Sequence, residues 1–251
     1  MKRFSLASIM ALAITVAVVG SFTVLAAAGY SLFGNATLVS PGNNSPTAVQ
    51  LSSTCPGGSS QCFANNTFSF SGVNFAVPAG MTVGMLNNLS TDYNFSAGGC
   101  GGGSPRFQVD ATNGTNSGTI NFYIGPPPNY NTCVLNAWLN SGNLAAPANL
   151  VDTSQLPAGT FYDPYANAQA KYGSYQVTGI QLVADGGWAV PGNNQTLRAD
   201  NVAINDSVTT FETPATNRDQ CKDGGWQNVV RADNTTFKNQ GDCVQYINTG
   251  K

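Results

Sequence analysis

The chain has no histidine among its 251 residues and a single glutamate, Glu212. Without an imidazole there is no general base for a serine or cysteine nucleophile, so Ser-His-Asp and Cys-His hydrolysis is excluded in its usual forms. The same absence removes the Cys/His donor sets of zinc sites, and no cysteines form the close C-x2-C pairs that such sites use. Glycosidase chemistry needs two carboxylates facing each other, one with a raised pKa. With one glutamate and eleven aspartates, an aspartate-based hydrolase, or an accessory domain of one, is the alternative functional reading. Asp110 with Asp200 is a pair it would use.

Charge is scarce as well. Asp, Glu, Lys and Arg make up 9% of the chain, against about 25% in ordinary soluble domains. Removing residues 1–28 takes away Lys2 and Arg3 and no acid, leaving eight bases against twelve acids, a balance of −4. Such a surface does not suit a phosphate backbone, so nucleic acid is not an expected partner. After residue 28 no run of eighteen apolar residues occurs, which leaves the N-terminus as the one route to a membrane.

That N-terminus has the layout of an export signal. Met1-Lys2-Arg3 is a short positive start, Phe4 to Leu25 is apolar or small, and "AAAG" follows at Ala26 to Gly29. Cleavage after Ala28 releases a chain beginning at Gly29; left uncut, the segment is long enough to anchor the protein in a bilayer. Residues 1–28 are thus a signal peptide or an uncleaved N-terminal anchor. Residues 29–213 form a β-sandwich domain, and residues 214–251, after a shift to more charged composition at Thr213-Pro214, form a small tail.

Six cysteines stand at 55, 62, 100, 133, 221 and 243. An even count in an exported chain points to disulfides. Of the fifteen formal pairings, loop closure favours near neighbours: Cys55 with Cys62, Cys100 with Cys133, and Cys221 with Cys243. The last pair encloses the tail, where Trp226, Val229, Phe237, Val244 and Ile247 either form a miniature core or dock on the body.

Between Gly29 and Phe211, short apolar or alternating runs are broken by turn clusters such as "SPGNNSP", "GGCGGGSP", "GPPPN" and "DGGW". Strands are expected at Ala36 to Val39, Ala48 to Ser52, Thr67 to Val77, Thr91 to Phe95, Arg106 to Ala111, Gly118 to Tyr123, Tyr175 to Ala184, Thr196 to Ala199 and Val202 to Ile204. Many short strands with Gly and Pro turns define an all-β antiparallel sandwich. Helical periodicity is confined to "YANAQAKY", Tyr165 to Tyr172, and to the end around "DCVQYIN". The first is either a short helix, with Asp163 as cap and Pro164 as its first residue, or a surface loop crossing one end of the sandwich.

No cofactor motif occurs. A structural calcium is the one ion the pattern admits, with Asp185, Asp200, Asn201 and Asp206 as oxygen ligands. The alternative for these residues is a strand with polar side chains facing water and, for "DGGW", a turn whose glycines adopt positive φ. Sugar rings stack on aromatic faces while Asn and Asp take the hydroxyls, so Trp138, Trp188, Tyr162 and Tyr165, set among Gly, Asn and Asp, are candidate ligand-binding residues. Their alternative is a place in the core or corners of the sandwich.

The strings "ATLVSPGNNSPTAVQL" from Ala36, "CGGGSPRFQV" from Cys100, "GIQLVADGGW" from Gly179 and "LRADNVAIN" from Leu197, with the tail "CKDGGW…FKNQGDCVQYI", resemble a group of exported bacterial proteins. Their β-sandwich body ends in this two-cysteine tail. The resemblance implies a jelly-roll-like body akin to non-catalytic carbohydrate-binding or adhesive modules, secreted or at the cell surface. Its expected partner is a polysaccharide or another component of the cell envelope. It supplies no ligand and no reaction.

Overall fold

The computed structural model describes residues 29–251, so residues 1–28, expected as a signal peptide or anchor, lie outside it. Among the described residues no helix is long and apolar enough to cross a membrane. In chain order the elements are β1 (Tyr30–Gly34), β2 (Thr37–Val39), β3 (Ala48–Thr54), α1 (Ser59–Ala64), β4 (Ser71–Phe75), β5 (Leu89–Ala97), β6 (Arg106–Thr112), β7 (Ser117–Tyr123), β8 (Leu139–Asn140), β9 (Leu150–Val151), β10 (Asp163–Pro164), α2 (Tyr165–Tyr172), β11 (Gln176–Ala184), β12 (Asn194–Ile204), β13 (Ser207–Thr209) and α3 (Gln240–Thr249).

The strands pair antiparallel in two main sheets. One runs β1-β4-β11-β6-β7 and the other β2-β3-β12-β5-β8, with β13 folded back on β12. Set aside β1 and β2, each added at a sheet edge, and the rest alternate as β4, β11, β6, β7 facing β3, β12, β5, β8. This is the strand order of a jelly roll. The pleat produces the layers: β5 buries Leu89, Thr91, Tyr93 and Phe95 and turns Ser90, Asp92 and Asn94 outward, while β6 buries Phe107, Val109 and Ala111. Side chains from both inner faces, Leu51, Phe95 and Leu197 against Phe107, Phe122 and Leu182 among them, form one core.

Helix α2 closes one end of that core through Tyr165, Ala168 and Tyr172, at i, i+3 and i+7. It begins at Tyr165, with Pro164 in the cap position and no side-chain cap. Asp163, expected to cap, instead accepts hydrogen bonds from Asn167 and Lys171. The opposite end is built from the loops β3–β4, β5–β6, β7–β8 and β11–β12. The two strands expected at Thr196 to Ala199 and Val202 to Ile204 are one, β12, interrupted by a bulge between Asp200 and Ala203 where Asn201 has φ 48°. The strand expected from Thr67 starts only at Ser71, so Phe68 and Phe70 sit at the end of the β3–β4 loop.

All three disulfides form as near-neighbour pairing predicts. Residues after Phe211 make a second, small core from Ala215, Cys221, Val229, Phe237 and Cys243, with Trp226, Val244, Tyr246 and Ile247 packed against it. Asn239 caps α3 by accepting from the Asp242 amide, and Arg231 clasps Asp242 with two hydrogen bonds while lying 4.6 Å over the Phe237 ring. So few apolar side chains give little stability alone, and a bridge closing a loop of this length contributes about 3 kcal/mol. Cys243→Ser is therefore expected to expose residues 214–251 to limited proteolysis at protease levels that spare the sandwich. A variant as resistant as wild type would show the bridge to be dispensable.

Candidate functional site

A buried amide organises the loop end. Gln195 at the start of β12 is fully buried; its Oε1 accepts from the Ser104 hydroxyl (2.6 Å) and the Gly186 amide (3.2 Å), and its Nε2 donates to the carbonyls of Gly99 (2.9 Å) and Ser104 (3.1 Å). All four hydrogen-bonding positions of the side chain are filled. The Gly-rich β5–β6 loop and the "DGGW" turn are thereby tied to one strand. Close by, Arg106 holds both oxygens of Asp185 at 2.7 Å and donates to the Gly103 carbonyl and Asn121.

Beside this frame lies a cavity of about 200 Å³ lined by Gly102, Gly103, Tyr123, Asn129, Tyr130, Phe161 and Tyr162. Tyr123 ends β7, Asn129 and Tyr130 come from the β7–β8 loop, and Phe161 and Tyr162 precede β10. Tyr130 and Tyr162 lie nearly parallel, 16° apart with centroids 6.1 Å apart, and Tyr123 is 5.4 Å from Tyr130. Phe161 is 51% and Tyr162 46% exposed, while Tyr130 is buried. The Tyr123 hydroxyl donates to Asp152 at 2.8 Å, and burial first, then the Asp152 charge, pushes its phenol well above the ordinary range. Tyr130 donates to the Leu150 carbonyl. Both phenols are thus neutral donors with fixed rings. Tyr130 and Tyr162 also adopt positive φ, 49° and 54°, as do eleven other non-glycine residues among those described; for bulky residues this backbone is strained.

Of the aromatic candidates read from sequence, Tyr162 lines the cavity. Trp188 borders it across Gly102, where an added Cβ would stand 2.9 Å from the indole. Tyr165 is corrected: it is 0% exposed, packs edge-on against Phe122 and hydrogen-bonds the carbonyls of Val83 and Leu86, so it is a core residue. Trp138 is half-buried beside β8 and, among the described residues, meets no other aromatic ring. Tyr123 and Phe161 were missed. Tyr123 closes a buried strand and so reads as core, and Phe161 carries no pattern of its own in "AGTFYDP".

The four residues nominated for calcium do not converge, and this too is a correction. Asp185 is occupied by Arg106, Asp206 is exposed in the β12–β13 turn, and Asp200 stands six residues into β12, about 20 Å along the strand. Asp200 and Asn201 belong instead to a network on the outer face of the second sheet. Asp200 accepts from the Ser45 hydroxyl and the amides of Asn43 and Asn201, while its neighbour Asp92 accepts from Asn43, Asn201 and Asn140. The network holds the Ser40–Thr47 loop to the sheet. Asp110, the other half of the carboxylate pair, points outward from β6 in the opposite sheet, so the two do not face each other. The expectation for "DGGW" is also revised: Gly186 and Gly187 do not have positive φ but lack room, since a Cβ on Gly187 would meet the Ser53 carbonyl at 2.5 Å.

A larger, open groove of about 540 Å³ separates the Ser40–Pro46 loop from Trp226 and Phe237 of the tail. Phe237 is committed there to the tail core and to Arg231, which leaves the loop-end cavity as the better ring-binding site. Fold and site together define a disulfide-bonded jelly-roll protein with an aromatic cavity among its loops. No protein-family model, curated protein or solved structure matches the chain.

Gln195→Leu strands four buried partners and is expected to lower stability by about 3 kcal/mol in denaturant unfolding; a loss under about 1 kcal/mol would contradict the amide's role. Asp200 is raised from 3.8 to about 6, by burial first and also by Glu212, against the hydrogen bonds it accepts. The folded state therefore holds this proton more tightly than the unfolded one, and the stability it provides below pH 4 is lost as pH rises to about 6. Asp200→Asn is expected to gain on wild type by about 3 kcal/mol across that window; parallel stability curves would refute the shift.

Proposed function

We propose that this chain is an exported, non-catalytic binding protein of the bacterial cell surface or exterior, which grips a glycan through the loop-end cavity. The observation that carries the reading is the exposed ring of Tyr162, backed by the nearly parallel, buried ring of Tyr130, on the wall of a cavity of about 200 Å³. Typical drug-sized sites run about 300–1,000 Å³; this one suits a single sugar unit. The exposed rings of Phe161 and Tyr162 supply stacking area, and the exposed Asn129 amide supplies hydrogen bonds to hydroxyls. Three disulfides fit an oxidising compartment, in agreement with the leader and with the resemblance to exported two-cysteine-tail proteins. The aspartate-hydrolase alternative lacks comparable support, because Asp110 and Asp200 lie on opposite outer faces and Asp92 and Asp200 are saturated by local donors.

A glycan array with a polysaccharide pull-down tests this directly. Tyr162→Ala is expected to weaken binding to the selected glycan roughly tenfold without lowering the melting temperature. If array and pull-down both stay blank, the glycan reading falls and a structural role at the surface remains.

A further inference from the structure

A second set of rings lies on the same end of the sandwich. From Trp188 a row of phenylalanines leads toward the β1 edge: Phe63 lies 6.2 Å from Trp188, Phe68 5.3 Å from Phe63, Phe70 6.4 Å from Phe68, and Phe33 6.2 Å from Phe70. None belongs to either buried core. Phe63 is 49% exposed, and the other four are half-buried. Contiguous apolar rings in water are unfavourable and mark an interaction surface. The row is also fixed: Phe63 follows directly on Cys62, which is bridged to Cys55, and Phe33 lies over Gly72, where any side chain would run into its ring.

The row and the cavity meet across two glycines. A Cβ on Gly102 would stand 2.9 Å from the Trp188 indole, and one on Gly103 would stand 3.1 Å from the Tyr123 ring; both residues have positive φ, 63° and 78°. A strip without side chains is thus all that separates the two aromatic groups. The Cys100–Cys133 bridge ties this strip to the loop bearing Tyr130.

Charge selects the occupant. Residues 55–75, 98–105, 124–136, 158–162 and 186–197, which make up this end, contain no Asp, Glu, Lys or Arg. The Arg106–Asp185 pair beside them is closed on itself. The exposed polar side chains here are neutral amides and hydroxyls, such as Asn65, Asn66, Thr67, Asn129 and Asn131, beside the exposed rings and the exposed aliphatic side chains of Val134 and Leu135. A polyanion, an anionic lipid surface or a charged peptide finds nothing to pair with, whereas a hydroxyl-rich neutral chain meets stacking faces and uncharged hydrogen-bonding groups.

Resting on the glycan reading above, we infer that this end binds an extended stretch of a neutral polysaccharide. The cavity takes one sugar ring, the strand passes over the Gly102-Gly103 strip, and the phenylalanine row carries the neighbouring units. The consequence is an affinity that grows with chain length. Calorimetric titration with ladders of neutral glucan, xylan, mannan and galactan oligosaccharides, from disaccharide to octasaccharide, measures it. For the series that binds, wild-type affinity is expected to rise roughly tenfold or more from the shortest to the longest member, and in Phe63→Ala and Phe68→Ala this ratio is expected to shrink below about threefold. Tyr162→Ala is expected to weaken every length. Equal affinity for short and long members, with Tyr162→Ala still harmful, would overturn the extended site while leaving the cavity reading intact. Binding by none of the ladders would remove both. Sedimentation showing a dimer that Phe63→Ala dissolves would assign the row to a second copy of the chain and overturn the inference.

Discussion

The four hydrogen bonds of Gln195 are the constraint on which the loop end depends. A buried amide is costly unless every donor and acceptor is matched, and here the partners come from the β5–β6 loop and from the "DGGW" turn. Two glycine-rich segments with little side-chain packing of their own thereby acquire one defined position. The Asp185 amide donates to the Ser104 hydroxyl and the Gly187 amide to Ser53, which extends the same network to β3.

Everything at that end follows from bringing these loops into register. The jelly-roll winding puts the β3–β4, β5–β6, β7–β8 and β11–β12 connections together; one disulfide pins the β3–β4 loop to the end of β3, and another joins the β7–β8 loop to the β5–β6 loop. The aromatic residues then need no helix or sheet of their own. Tyr130 and Tyr162 keep strained backbones because Tyr123, the Leu150 carbonyl and the neighbouring rings hold them. Glycine acts here by absence, letting Trp188 and Tyr123 approach the same strip of backbone from its two sides.

Much of the fold was legible in the chain. Period-two alternation located β5 and β6, because a strand between core and solvent must alternate, and sequence proximity identified the disulfides, because short loops close most readily. The site was legible only in part. Tyr162 and Trp188 stood out by their surroundings rich in Gly, Asn and Asp, but the same signal flagged Tyr165, which the tertiary structure buries on the inner face of α2. Tyr123 looked like core and serves also as a wall. Asp200 looked like a ligand donor and proves to be a fastener for the Ser40–Thr47 loop. Exposure of a side chain depends on what packs over it from distant segments, and local composition does not record that.

The tetrapeptide "DGGW" occurs twice and marks where local sequence stops deciding. At Asp185–Trp188 the aspartate has φ −142° and both glycines are needed for space, against Ser53 and Gln195; at Asp223–Trp226 the aspartate has φ 51°, Gly224 has φ 84°, and the glycine serves conformation. The sequence by itself determined the all-β class and the covalent framework, since these rest on composition, alternation and chain proximity. Only the tertiary structure decided which rings reach solvent, which carboxylates are already satisfied and which use each glycine has. Those depend on long-range packing, which four identical residues meet differently in two places.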